Sequence, residues 1–321
     1  MAAAWTRGGA RGYSRPMQVD QGSAFLAVCL NHVIQKTIAF ERLAKGEVNR
    51  SSEHRVDASG KGVNVARVLA QTGRRPIHLT QAGGPARDWF LALCAADGLE
   101  LRWVESGSEI RFCYTVIDRA DGSATELVEE ARPVGPGTGE RLLAEFDRAL
   151  PDCRAVIISG TRAPGFDDAL LPEMARRARA AGKLLVLDIK GRDLAACLRH
   201  RPDVVKPNLS ELLATWPAAP GLSEDALRDH VASVAAEVHA RHGALLVATR
   251  GARPTWYWDG SALRELPSLP CKALNPTGSG DSFTAGLAAV LAEGGAIGDA
   301  VAEGARLGAL NAGRLKPGSI L

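Results

Sequence analysis

The sequence of 321 residues predicts an α/β fold in which a mainly parallel central sheet lies between two layers of helices. Short apolar runs typical of buried strands alternate along the chain with stretches of helical spacing, and such alternation is typical of parallel sheets. The length and an apolar content of 46% suffice for one large domain with a small appendage. Two polar strand-like segments, at about 36–58 and 109–130, do not fit the alternation.

The elements are predicted from hydrophobic periodicity, with Gly-rich turns marking their limits. A turn at Asp121-Gly122 makes the segment from Arg111 to Val128 a hairpin. Strands are predicted in chain order at 24–30, 37–55, 77–81, 101–104, 112–117, 155–159, 184–188, 204–206 and 244–249, followed by a hairpin at 255–264. Helices are predicted at 61–71, 88–96, 140–149, 169–181, 209–215, 224–242, 282–292 and 298–311.

Composition excludes several classes of protein. A net charge of +3 is too small to indicate binding to nucleic acid, and no run of residues is apolar enough to predict a membrane span. The six cysteines are scattered without a CxxC pair, which favours buried thiols in a reducing compartment and a cytoplasmic location. Residues 1–22 lack the apolar core of a secretory signal, so we expect a disordered extension, or a true start at Met17, before one domain at 23–321.

The most informative stretch is the Gly-rich turn Gly278-Ser279-Gly280-Asp281, which leads into an apolar segment with helical spacing. Glycines bring backbone N–H groups to the start of a helix, where the helix dipole favours anions. Asp281 stands among these donors as an acceptor for a hydroxyl proton. An anion site beside a base is what phosphoryl transfer to an alcohol requires. The alternative is a helix cap, because Gly, Ser and Asp are common at helix starts.

A second Gly-rich helix start lies upstream, from Ser59 to Ala70. It does not match a Walker A loop, because Gly62 follows Lys61 where Ser or Thr is needed. It does not match a dinucleotide fingerprint either, because Val65 stands where a third Gly is required. What remains is a helix start that offers Lys61 and Asn64 as polar groups.

A third segment, Val205 to Leu212, contains Asn208 and Glu211 one helical turn apart. These two side chains are candidates for orienting Mg²⁺ through its water ligands, since Mg²⁺ keeps several waters and takes few protein ligands. An N-cap with a Glu in the first turn is the competing interpretation. Lys206 and Thr249 stand at predicted carboxyl ends of strands, where α/β sheets bind their ligands.

Together these segments resemble the ribokinase/PfkB family of carbohydrate kinases. Its upstream motif is close to GGKGxNVA, its downstream motif is close to DTxGAGDxFxAG, and a KPNxxEL segment lies between them. The run from Gly46 to Arg50 makes the sequence most similar to the branch of 1-phosphofructokinase and tagatose-6-phosphate kinase. The resemblance implies a ribokinase-like three-layer fold in which the two polar segments form a small β-sheet lid. It also implies ATP and Mg²⁺ as cofactors, a sugar phosphate as substrate, and a homodimer formed through the lid.

The resemblance also implies roles for individual residues. Asp281 is expected to be the general base, with Gly278, Ser279 and Gly280 holding the transferred group. The expected substrate-binding residues are Gln35, Gly60, Lys61, Asn64, Arg111 and Asp281, with Arg111 reaching the substrate phosphate. The expected nucleotide-binding residues are Lys206, Asn208, Thr249, Gly251, Gly278, Gly280 and Asn311.

The substrate side departs from the family pattern. After the first strand, Gln35 stands where the family has an Asp that holds sugar hydroxyls, and His32 stands where it has Pro. The family's Ser-Gly-Ser-Leu-Pro segment begins here at Ser159 and continues Gly-Thr-Arg-Ala. The leading hypothesis is therefore an ATP-dependent sugar-phosphate kinase with an altered acceptor pocket. The alternatives are a kinase of an unphosphorylated sugar or nucleoside, and a non-catalytic sugar-phosphate sensor.

Overall fold

The computed structural model describes residues 23–321, so the predicted extension at 1–22 lies outside the described residues. The strands are β1 Ala24–Val28, β2 Val33–Phe40, β3 Glu53–Ser59, β4 Pro76–Ala82, β5 Glu100–Glu105, β6 Arg111–Asp118, β7 Ser123–Val128, β8 Cys153–Ser159, β9 Leu184–Asp188, β10 Val204–Val205, β11 Leu245–Ala248, β12 Thr255–Trp258 and β13 Leu263–Leu266. The helices are α1 Lys61–Gln71, α2 Arg87–Ala96, α3 Thr138–Ala149, α4 Leu170–Ala180, α5 Gly191–Leu198, α6 Leu209–Thr215, α7 Glu224–His242, α8 Ser279–Ala292 and α9 Ile297–Ala312.

The central sheet has nine strands in the order β13-β12-β11-β10-β9-β8-β1-β4-β5. The strands from β11 to β5 run parallel, and β12 and β13 extend one edge as an antiparallel hairpin. One hydrophobic cluster packs α3 to α7 against one face of the sheet, and a second packs α1, α2, α8 and α9 against the other face. Three layers result, and the fold class predicted from the sequence is confirmed.

Four strands form a separate sheet in the order β3-β2-β6-β7, called the small sheet below. Strand β2 pairs antiparallel with β3 and parallel with β6, and β6 forms a hairpin with β7. These strands come largely from the two polar segments that interrupted the alternation of strands and helices. The polar pattern has a physical reason, because the small sheet packs on the domain only in part and β7 is almost entirely exposed.

Several element limits differ from the predictions. The predicted strand at 37–55 is two strands, β2 and β3, separated by a loop at 41–52 that contains Gly46 in a left-handed conformation. Helix α5 was not predicted. Helix α8 begins at Ser279, three residues before the predicted start, because Gly and Ser have low helix propensity and hide its first turn in the sequence. The earlier start places Asp281 inside the first turn.

No helix in the described range 23–321 combines the length and the apolar character that a membrane span requires. All six cysteines are free thiols, and five of them are buried. The core is therefore held by packing and hydrogen bonding without a disulfide among the described residues.

Candidate active site

A cavity of about 540 Å³ opens beside the carboxyl ends of the parallel strands, with the small sheet forming one of its walls. Twelve of the predicted site residues line it: Gln35, Gly60, Lys61, Asn64, Arg111, Lys206, Asn208, Glu211, Thr249, Gly278, Gly280 and Asp281. Residues at the carboxyl ends of β1, β8, β9, β10 and β11 line the cavity, together with residues at the N-termini of α1 and α8. Residues far apart in the sequence therefore converge on one cavity.

The start of α8 forms the anion site predicted from the sequence. Gly278 precedes the helix with φ 85°, and a Cβ at this position would lie 2.3 Å from the backbone N of Gly318. Only glycine fits that conformation and that space. The N–H groups in the first turn of a helix lack acceptors within the helix, so the turn that contains Gly280 and Asp281 can donate to an anion.

Asp281 is buried at the base of this turn, with 7% of its surface exposed. Its Oδ2 accepts a hydrogen bond from Asn64 Nδ2 at 2.7 Å, which connects the two Gly-rich motifs. Burial is the main reason that the pKa of Asp281 is raised to about 6, and the neighbouring charge of Asp188 adds to it. Lys61, the Asn64 hydrogen bond and Lys206 act in the opposite direction. The result is a carboxyl group whose pKa lies close to neutral, as suits a general base.

A cluster of charges lies beside Asp281. Lys61 Nζ is 2.9 Å from Asp188 Oδ1 and 2.9 Å from Glu211 Oε1, and Lys206 Nζ is 3.3 Å from Asp188 Oδ2. Thr284 also donates to Asp188, at 2.8 Å. Burial alone would raise the pKa of Asp188, but Lys206 and Lys61 outweigh it and hold the pKa at about 2. Asp188 is therefore a carboxylate at neutral pH.

Sequence reasoning missed Asp188. A signal for it exists, because Asp188 is the last residue of the apolar strand Leu184–Asp188, at the sheet edge where α/β proteins bind ligands. The strand itself was predicted with the correct limits. The motif comparison did not include Asp188, because this residue lies outside the three segments that match the family.

Asn208 and Glu211 form a complete capping box at the start of α6. Asn208 Oδ1 accepts from the Glu211 backbone N at 2.9 Å, and Glu211 Oε2 accepts from the Asn208 backbone N at 3.1 Å. The helix cap, which the sequence offered as the alternative to orienting Mg²⁺, is therefore present in the fold. Glu211 Oε1 takes no part in the capping box. This oxygen faces Lys61, which also pairs with Asp188.

Carboxylates are the candidate metal ligands of the cavity. No group of three or more His, Cys, Asp or Glu side chains within residues 23–321 could by itself hold a metal. Asp188 and Glu211 nevertheless offer the hard carboxylate oxygens that Mg²⁺ prefers. Mg²⁺ is usually bound by one or two carboxylates together with substrate phosphates, and this sparse set fits that mode.

The predicted substrate residues lie on the side of the small sheet. Arg111 donates from Nη1 to the Glu129 carbonyl at 3.0 Å and from Nη2 to the Asn31 carbonyl at 3.1 Å, while its buried Nε has no acceptor. Gln35 is buried, and its Nε2 donates to Thr115 Oγ1 at 2.9 Å. Hydrogen bonds within the protein therefore hold both side chains in place.

His32, the other departure from the family pattern, does not line the cavity. Its ring packs on Phe90, with 4.2 Å between the centroids, and its Nδ1 is 2.9 Å from Thr80 Oγ1. Burial is the main reason that the pKa of His32 is lowered to about 3, so the ring is neutral. His32 therefore belongs to the packing between β4 and α2.

Three predicted residues, Ser279, Gly251 and Asn311, are not among those that line the cavity. Gly251 is exposed in a turn. Asn311 Nδ2 donates to the Thr277 carbonyl at 3.0 Å and to Ser279 Oγ at 3.0 Å, so it supports the Gly-rich turn from behind. Their predicted roles in nucleotide binding and catalysis stay predictions.

The chain is similar to known proteins in both sequence and fold. The model of the pfkB family of carbohydrate kinases matches residues 25–320. Phosphofructokinase-2 from Escherichia coli in complex with fructose-6-phosphate is 22% identical, with a TM-score of 0.78 over 92% of this chain and 95% of that chain. A protein from Thermotoga maritima described as a possible 1-phosphofructokinase is 19% identical, with a TM-score of 0.81 over 91% of this chain and 93% of that chain. At these identities the structures show a common fold.

The raised pKa of Asp281 predicts how stability depends on pH. The pKa is about 6 in the folded protein and about 3.9 for a carboxyl in an unfolded chain, so the folded state binds the proton more tightly. The contribution of Asp281 to stability is complete below about pH 4 and is lost as the pH rises through about 6. Asp281→Asn stays neutral, and we expect it to be more stable than the native protein at about pH 7.5 by roughly 1–3 kcal/mol.

Urea unfolding of both proteins between about pH 4.5 and pH 7.5 measures the difference. Asp88→Asn, which removes an exposed carboxylate outside the cavity, is the control. If native protein and Asp281→Asn respond identically to pH, Asp281 does not carry the raised pKa.

Proposed function

Because the chain belongs to the pfkB family of carbohydrate kinases, we propose that it transfers the γ-phosphate of ATP to a hydroxyl of a sugar phosphate, with Asp281 as the general base. The enzyme class, a phosphotransferase with an alcohol group as acceptor, follows from the family. The observation that carries the finer proposal is the buried carboxyl of Asp281 in the first turn of α8, beside donors suited to an anion.

The proposed reaction follows from these positions. The acceptor hydroxyl gives its proton to Asp281 as its oxygen forms a bond to the γ-phosphorus, and the bond from that phosphorus to the β-phosphate oxygen of ATP breaks. The N–H groups of the first turn of α8 stabilise the negative charge on the transferred group. Lys61 and Lys206 hold Asp188 ionised beside the base. Mg²⁺ bound with ATP would offset phosphate charge, with Asp188 and Glu211 as its candidate ligands.

A sugar phosphate is preferred as acceptor because the positively charged guanidinium of Arg111 lies in the cavity wall. One observation favours an unphosphorylated sugar instead. Two of the three guanidinium nitrogens of Arg111 already donate to backbone carbonyls, so the group is not a free fork for a phosphate. Measuring ADP release over hexoses, pentoses and their phosphates distinguishes the two. A sensor without catalytic activity would release no ADP with any of them.

We further propose that a second copy of the chain packs on the outer face of the small sheet. Cys113, Glu126 and Val128 line the cavity, so the alternating residues on the same strands face the other way. Leu127 on this outer face is 54% exposed, and Tyr114 is its cross-strand neighbour. A structure of phosphofructokinase-2 from Escherichia coli is described as a tetrameric inhibited form, with 22% identity and a TM-score of 0.78 over 90% of this chain and 94% of that chain.

Asp281→Asn tests the chemistry. Loss of a general base lowers rates by about 10²–10⁴-fold, so we expect kcat to fall by that factor while the affinity for ATP changes by about twofold at most. We expect kcat/KM of the native enzyme to fall below about pH 6, where Asp281 becomes protonated. Steady-state kinetics and equilibrium ATP binding provide both measurements. A variant that keeps more than half of the native turnover would contradict the role of Asp281.

Arg111→Met tests the phosphate on the acceptor. We expect KM to rise by roughly tenfold or more for the phosphorylated sugar and far less for the same sugar without phosphate, because a charged hydrogen bond to the phosphate is lost. Arg132→Met, which removes an exposed arginine paired with Glu109, is the matched control. If the native enzyme uses both forms equally well, the acceptor is not recognised through its phosphate.

Gln35→Asp tests the departure from the family pattern. A charged acceptor forms hydrogen bonds roughly twice as strong as a neutral one, so the native enzyme should turn over fructose 1-phosphate and tagatose 6-phosphate weakly. We expect Gln35→Asp to raise kcat/KM for them by roughly tenfold and to change the ranking of sugars. The gain is limited by Asp57, which lies directly opposite Gln35 on β3 and would repel a second carboxylate.

Gln35→Asn, which shortens the side chain without adding charge, is the control for this substitution. Efficient native turnover of these two sugars, together with no effect of Gln35→Asp, would show that Gln35 does not determine specificity.

A further inference from the structure

The carboxamide of Asn64 lies between a buried arginine and the proposed base. Its Oδ1 accepts a hydrogen bond from Arg67 Nη1 at 3.0 Å and one from Ser59 Oγ at 3.2 Å. Its Nδ2 donates to Asp281 Oδ2 at 2.7 Å. A guanidinium has only donors, so Arg67 requires the oxygen of the amide on its own side. The NH₂ group must then face Asp281.

We propose that Arg67 is a positioning residue for phosphoryl transfer, acting through Asn64 to decide which oxygen of Asp281 takes the proton of the acceptor. This inference rests on the proposed function of Asp281. Because Oδ2 already accepts the hydrogen bond from Nδ2, it is the less basic of the two oxygens, and we assign the proton of the substrate hydroxyl to Oδ1. If the amide turned over, its oxygen would face the carboxylate and the hydrogen bond would be lost.

The position of Arg67 is fixed by the fold on every side. Its side chain is 1% exposed, its Nε donates to Asp97 Oδ2 at 2.7 Å, and its Nη1 also donates to the Pro317 carbonyl at 2.8 Å. Its Nη2 donates to the Ala58 carbonyl. A buried guanidinium with all these partners cannot change its orientation without leaving several groups unpaired.

Residues 316–320 provide one of these partners and press on Asn64 directly. A Cβ at Gly318 would lie 2.3 Å from the Cβ of Asn64, so the backbone of this segment packs tightly against the amide. Gln71, at the end of α1, holds the segment by donating to Ser319 Oγ at 3.0 Å and accepting from the Ile320 backbone N at 2.8 Å. These contacts make residues 316–320 the outer support of the pair formed by Arg67 and Asn64.

The charged groups that face Asp281 are Asp188 from β9, Lys61 from α1 and Lys206, which follows β10. Asn64 contributes the hydrogen bond, which lowers the pKa of Asp281. Losing this bond while the charges remain should therefore move the acidic limb of the rate profile to higher pH. A hydrogen bond from an amide to an ionised carboxylate corresponds to a shift of roughly one pH unit.

The test compares Arg67→Met with Arg67→Lys, using steady-state kinetics over pH together with thermal unfolding. We expect Arg67→Met to lower kcat by roughly tenfold to hundredfold, with KM for ATP nearly unchanged, and to move the acidic limb upward. Arg67→Lys, which restores one donor, should recover part of both effects. Arg74→Met is the matched control, because Arg74 pairs with Glu293 at 2.9 Å between the far ends of α1 and α8, away from Asp281. It should lower the unfolding temperature without moving the limb.

Each outcome decides the question. A normal kcat and an unmoved limb in folded Arg67→Met would overturn the positioning role, even if the unfolding temperature falls as in Arg74→Met. If Arg67→Met does not fold, Asn64→Leu replaces it, since this substitution keeps Arg67 and removes the hydrogen bond to Asp281 through which Arg67 acts. An unmoved limb there overturns the proposal equally. Activity that survives in Asp281→Asn would refute the proposed function itself. An inactive Asp281→Asn beside a normal Arg67→Met would refute only the positioning role.

Discussion

Lys61 is shared by two carboxylates, Asp188 and Glu211, and the arrangement of the cavity depends on this shared ion pair. A buried carboxylate is several kcal/mol less favourable than a hydrated one unless it is paired and hydrogen-bonded. Asp188 satisfies this condition with two lysines and Thr284. Burial alone would lower the pKa of Lys61, but the surrounding carboxylates outweigh it and raise the pKa. The pairs hold α1, β9 and α6 around one point. Asp281 forms no salt bridge with a lysine within residues 23–321, and its pKa is raised to about 6.

The parts of the fold and site that were predictable from the sequence are those whose signal is local. Alternating apolar runs predicted the central sheet, and the glycines before α1 and α8 predicted two helix starts that meet at one cavity. The division of the predicted strand at 37–55 into β2 and β3 was not predictable, because the loop at 41–52 between them has no strong turn signal besides Gly46. Helix α5 is short and begins without a side-chain cap, so nothing in its sequence marks its start.

Contacts between distant segments were beyond sequence reasoning for a different reason. The motifs placed Asn64 and Asp281 in separate roles, one toward the sugar and one as the base, yet their side chains are bonded to each other. Asn208 and Glu211 showed the reverse, since one of the two roles considered for them, the helix cap, is local, and the capping box is present. The small sheet adds a third case: Thr277, just before the Gly-rich turn, donates to Glu126 on β7 at 2.9 Å, so the wall of the cavity touches the anion site. Side-chain partners of this kind depend on tertiary placement and not on spacing.

The separation of these partners along the chain has a consequence for how the enzyme matures. Asn64 and Asp281 are 217 residues apart, and Arg67 and Pro317 are 250 residues apart. Contacts between such distant positions require large loops to close and form slowly. The strands of both sheets all lie before residue 267 and can pair while the chain is still being synthesised, whereas the centre of the cavity requires residues 316–320. When refolding is followed by secondary structure and by activity, we therefore expect secondary structure to return first and activity last.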